Sequence, residues 1–120
     1  MIDIHELLAM CSPFKTYWVA KNISEPLVLA VCEILAKHVL DIRNAAYYSG
    51  DRLEVTKKLQ EWILENYLRK YLEYIPDEFD GELMTMEKKI FYLNLLARTI
   101  ILYICIRVYP DNHLLPRPKL

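Results

Sequence analysis

The chain has 120 residues and a mass of 14.3 kDa, enough for one domain with a sizeable core. Apolar residues make up 54% and charged residues 26%, which excludes a disordered chain, and a formal net charge of -1 excludes coating of nucleic acid by bulk charge. There are two glycines, Gly50 and Gly81; strand-rich folds spend glycine on hairpins and bulges, so an all-α fold of few, long helices is expected.

The elements follow in chain order. Residues 2–10 read as a short helix capped by Asp3, with Ile4, Leu7 and Leu8 on one face. Ser12-Pro13 breaks it, and 14–20 is a short helical or irregular segment carrying Phe14, Tyr17, Trp18 and Val19. Ser24-Glu25-Pro26 combines a serine cap, a first-turn acid and a proline where its missing N–H costs little. From there 27–48 is almost continuously apolar up to Lys37, the pattern of a core helix. Ser49-Gly50-Asp51 ends that helix and caps the next, which spans 52–74 as an amphipathic helix with Val55, Leu59, Trp62, Ile63, Tyr67, Tyr71 and Tyr74 in its stripe. Ile75-Pro76-Asp77 stops it. An acidic loop over 77–83 leads to Thr85, which caps a last helix over 86–109 that Pro110 ends. Residues 110–120 read as an extended tail of one single domain, a small bundle of three long helices behind a short N-terminal helical lead.

Cys11, Cys32 and Cys105 each lie among apolar residues with no CxxC pair, as buried free thiols of a reducing compartment do. The start Met1-Ile2-Asp3-Ile4-His5-Glu6 lacks the basic and apolar regions of a signal peptide, so a cytoplasmic location is expected. Residues 90–108 approach the ~20 apolar residues that span a bilayer. Arg98 would then sit mid-bilayer at ~2.5–3.5 kcal/mol on insertion scales, so a helix enclosed by protein is expected instead, with no membrane partner.

Catalytic and metal motifs fare poorly. His5-Glu6-Leu7-Leu8-Ala9 begins like a zinc-protease HExxH but carries Ala9 where the second imidazole is needed. His5, His38 and His113 have no acid or cysteine at ligand spacing, and two isolated glycines build no phosphate loop. No cofactor, no metal and no catalytic residue are therefore expected. One enzyme alternative is carried: Arg107 followed by His113 resembles the motif of HEPN-type ribonucleases, in which the histidine is acid or base and the arginine meets developing charge. A binding alternative is a small subunit of a nucleoprotein complex such as a CRISPR effector, contacting nucleic acid weakly or indirectly through Arg52, Lys57, Lys58 and Arg69. Interleaved Glu54, Glu61, Glu65 and Glu73 fit a solvated helix face better.

Of nine tyrosines, eight (all but Tyr17) lie near the ends and stripes of the long helices, which suits the rims of packed interfaces. Tyr67-Leu68-Arg69 with Leu72 and Ile75, followed by Leu83-Met84-Thr85-Met86-Glu87-Lys88-Lys89, resembles the helical domain of GINS subunits. In that family a "YLR-x-x-L-x-x-I" stretch on a long helix precedes a loop and a "Leu-Ser/Thr-x-Glu-Glu" helix start. The resemblance spans about 24–106. It implies a non-catalytic DNA replication factor, built from related subunits, that bridges the replicative helicase to other replisome proteins. The reading is thus a scaffold or assembly subunit of a homo- or hetero-oligomer, with Trp62, Tyr67, Tyr71, Phe91 and Tyr103 packing on the partner and Arg69 as a polar anchor.

Overall fold

The computed structural model describes the backbone of residues 2–49 and 52–108, and the side chains of residues 2–38 and 57–108. The class is all-α, as expected. Helices α1 (Ile4–Cys11), α2 (Lys15–Ile23), α3 (Glu25–Ser49), α4 (Arg52–Ile63) and α5 (Met86–Tyr103) carry the fold, with a small antiparallel hairpin, β1 (Glu78–Phe79) and β2 (Glu82–Leu83), before α5. The turn at Gly50 and Asp51, the stop at Pro110 and the tail over 110–120 lie outside the described residues.

Local chemistry explains most of the boundaries. The Asp3 carboxylate accepts from the His5 N–H at 2.9 Å, and the Thr85 hydroxyl accepts from the Lys88 N–H at 3.2 Å, so both predicted caps hold orphan donors. Ser24 joins two helices by itself: its N–H donates to the Ala20 carbonyl at 3.1 Å and closes α2, while its carbonyl accepts from Val28 at 3.1 Å and opens α3. Its hydroxyl accepts from Leu27 N–H at a long 3.4 Å. The joint forces Ser24 to φ 137°, a conformation that costs a non-glycine residue about 1–3 kcal/mol.

The acidic segment expected as a loop is a hairpin. Asp80 at φ 52° and Gly81 at φ 79° form the two-residue turn, and Glu78 faces Leu83 while Phe79 faces Glu82. Ion pairs pin the hairpin to the bundle. Glu82 accepts from both Lys15 and Lys88 at 2.6 Å, and these ammonium groups hold its carboxyl well down, at about 2. Lys89 lies buried along its stem and reaches Asp77 at 2.6 Å. Trp18 packs on Phe79 with ring centroids 4.4 Å apart, so aromatic contact backs the charges.

The core is built around α5, which packs against α1, α2, α4 and the turns that follow α4. Leu93, Leu96, Ala97, Ile100 and Ile104 are essentially closed to solvent, and Leu7, Val19, Val28, Leu35, Ile63 and Leu68 meet them from the other elements. The continuous apolar run of α3 reads as a helix buried all round. In the structure the first half of α3 buries only a stripe of Val28, Val31, Cys32 and Leu35, while Leu27 and Ala30 stay exposed. Its neighbours α2, α4 and the end of α5 cover one side of it, so the surplus apolar residues face outward. Cys11, Cys32 and Cys105 are buried and form no disulfide; burial raises the Cys11 thiol to about 11 and the Cys32 thiol to about 12.

Candidate partner-docking site

The helix expected over 52–74 changes pitch twice. After α4, Leu64–Leu68 forms a single π-helical turn, in which the Arg69 N–H bonds the Leu64 carbonyl five residues back. Arg69–Tyr74 then tightens into a 3-10 segment, and Ile75 leaves it in extended conformation before Pro76. An α-helix holds side chains three and four apart on one face. A π-turn admits a spacing of five, and a 3-10 turn eclipses residues three apart. The aromatic residues Trp62, Tyr67, Tyr71 and Tyr74 are five, four and three residues apart in turn. The changes of pitch match that spacing turn by turn.

Ring geometry bears this out in pairs. Trp62 and Tyr67 meet edge-on with centroids 5.2 Å apart, and Tyr71 and Tyr74 lie 5.7 Å apart at 47°. His38 on α3 approaches Trp62 edge-on at 6.3 Å. Trp62 and Tyr74 are exposed at 39% and 54%, and Tyr67 and Tyr71 are half-buried against the core. On the same turns Asn66 donates its side-chain amide to the Trp62 carbonyl at 2.9 Å, which satisfies an acceptor at the pitch change. Arg69 bonds Glu65 at 2.9 Å on the exposed surface, and the Lys70 ammonium stands 5.2 Å from the Tyr71 ring centre. The result is a row in which Tyr67 and Tyr71 are anchored on the core and Trp62 and Tyr74 stand exposed at its ends, flanked by charge.

The other expected site residues fall elsewhere. Phe91 is exposed on α5 and touches Tyr92, beside the Lys15 and Glu82 pair. Tyr103 is a correction: it is fully buried, and its hydroxyl accepts from the Asp3 N–H at 2.7 Å across the bundle. It ties the chain start to α5 and presents nothing to a partner. Lys57 and Lys58 are exposed on α4, and the side chain of Arg52 lies outside the described residues. Arg107 is exposed in the π-turn Ile104–Val108 that ends α5, and His113 lies outside the described residues. Among the described residues, no group of three or more His, Cys, Asp or Glu side chains is placed to hold a metal ion.

Two contributors leave no clear mark in the sequence. His38 beside Trp62 carries no local signal, because it comes from another helix. Glu82 as a two-lysine hub was hidden in an acidic run. By length and composition Met86–Val108 is apolar enough to cross a membrane, and half of its most apolar window is buried inside the bundle. Comparison with family models, with curated proteins and with solved structures finds no match to this chain.

Proposed function

We propose that this chain is a non-catalytic assembly subunit that docks a partner protein through the row of Trp62, Tyr67, Tyr71 and Tyr74, with Arg69 as its polar neighbour. The observation that carries the reading is the coincidence of the five-four-three aromatic spacing with a π-turn followed by a 3-10 turn. π-turns recur at functional sites, and tryptophan, tyrosine and arginine supply most binding hot spots. Half-buried rings present apolar area at low entropic cost, because the fold has already fixed them. A GINS-like role in a DNA replication complex is the specific form of this reading, and it rests on the sequence resemblance alone. Docking of nucleic acid through Arg52, Lys57, Lys58 and Arg69 is the weaker alternative, since Glu65 already engages Arg69.

The test is a tagged chain recovered from its native cells, compared with the Trp62→Ala plus Tyr71→Ala double variant. A complex of discrete mass should be recovered with the parent chain and lost with the variant, while the variant keeps its helical circular dichroism. Recovery of the same complex by both chains would remove this row from the interface. Loss of the complex on nuclease treatment would transfer the reading to nucleic acid.

A further inference from the structure

We propose that a second copy of this chain covers the outward face of α5, in an antiparallel pair of helices related by a two-fold axis. This surface shares no residue with the aromatic row after α4. Helix α5 and its terminal turn run over Met86–Val108, 23 residues, or roughly 34 Å at the rise of an α-helix. One side of it is the buried core. The other carries Glu87, Phe91, Leu95, Arg98, Leu102 and Ile106, at the three- and four-residue spacing of a coiled-coil seam. Phe91 and Ile106 are exposed at 57% and 43%, and Leu95 and Leu102 are only half covered. An apolar row of this length left open to water calls for a cover.

The two charges in the row select the cover. Glu87 and Arg98 are both exposed, and neither forms an ion pair within the described chain. With a two-fold axis crossing α5 between positions 92 and 93, Glu87 of each copy faces Arg98 of the other, so the pair forms twice. The same axis sets Phe91 against the Asn94 and Leu95 turn and carries Leu102 past the partner's helix start, towards the segment that precedes it. A parallel pairing would instead oppose Glu87 to Glu87 and Arg98 to Arg98. Burial of the row in lipid hydrocarbon would have to strip water from both charges with no counter-charge supplied there. The row is complementary to itself in one direction only, which is what an isologous interface requires.

The test is the solution mass of four chains by sedimentation up to about 100 μM, a range that reveals association in the micromolar regime. The chains are the parent, Glu87→Arg, Arg98→Glu and the double reversal. All changes are at exposed positions, and circular dichroism checks helix content, since Glu87 also favours the first turn of α5. The parent should dimerise, and each single reversal should weaken the dimer by about tenfold or more. The double reversal should restore it, and mixing the two single variants should give a mixed dimer. A parent that stays monomeric throughout, single reversals without effect, or a double reversal that fails to restore pairing would each overturn the proposal. Binding to neutral phosphatidylcholine vesicles by a monomeric parent would assign the row to lipid instead.

Discussion

Deleting Glu65 should leave the fold standing, although it removes one residue from the middle of a helix. In a regular α-helix such a deletion turns everything beyond it by about 100° and buries the wrong face. Here the π-turn at Leu64–Leu68 already holds one residue more than an α-turn needs, and Ile63 and Leu68 are both fully buried five residues apart. Removing the extra residue converts the turn to α and keeps Ile63, Leu68 and the rings in line. The losses are an exposed Glu65–Arg69 pair worth about 0.3–0.5 kcal/mol and the Asn66 bond to the Trp62 carbonyl, worth about 1 kcal/mol. A regular backbone bond replaces the latter, so the net change should stay within about 1 kcal/mol. Deleting Asn94 from the regular part of α5 is the contrast. It rotates Leu93 against Leu96 and Ile100, and each displaced core side chain costs about 1.5–3 kcal/mol. Two such losses, about 3–6 kcal/mol, reach the lower end of a small domain's stability of about 5–15 kcal/mol. Urea unfolding followed by circular dichroism and tryptophan fluorescence measures both. A Glu65 deletion as damaging as the Asn94 deletion would refute the account of the π-turn.

Three further outcomes are expected. Tyr103→Phe should destabilise by about 1 kcal/mol in urea, because the Asp3 N–H loses its acceptor; an unchanged midpoint would mean that the hydroxyl holds nothing. Because Lys15 and Lys88 lower the folded-state Glu82 carboxyl to about 2 from 4.5, its contribution is full above pH 4.5 and is lost as pH falls towards 2. Thermal midpoints of the parent should therefore drop more steeply over that window than those of Glu82→Gln, and parallel curves would count against the hub. Cys11, Cys32 and Cys105 are buried, with the first two raised by burial, so a disulfide reagent at pH 8 should react with none in the folded chain and with all three in urea.

The all-α class, the Asp3, Ser24 and Thr85 caps and the break at Ile75-Pro76 were legible in the sequence, because each depends on residues within one turn of the feature. The pitch changes after α4 were not. Ile63 sits beside Trp62, so a tolerant count finds a four-residue step to Tyr67 and misses the step of five that needs the π-turn. Asp80-Gly81 is a strong hairpin signal, and its acidic surroundings masked it as a loop. The burial of Tyr103 was out of reach for a different reason. α5 is apolar on nearly all sides, so periodicity does not say which side meets the bundle; the packing of α1 and α2 decides it. The same ambiguity made α3 read as wholly enclosed.

The most direct measurement of the docking claim places a photoreactive benzoylphenylalanine at Tyr74, the most exposed ring of the row, and irradiates the native cells. The account predicts one discrete protein adduct, reduced when Trp62→Ala is added to the same chain. Adducts that are absent, that are made only with nucleic acid, or that do not change with Trp62→Ala would contradict it.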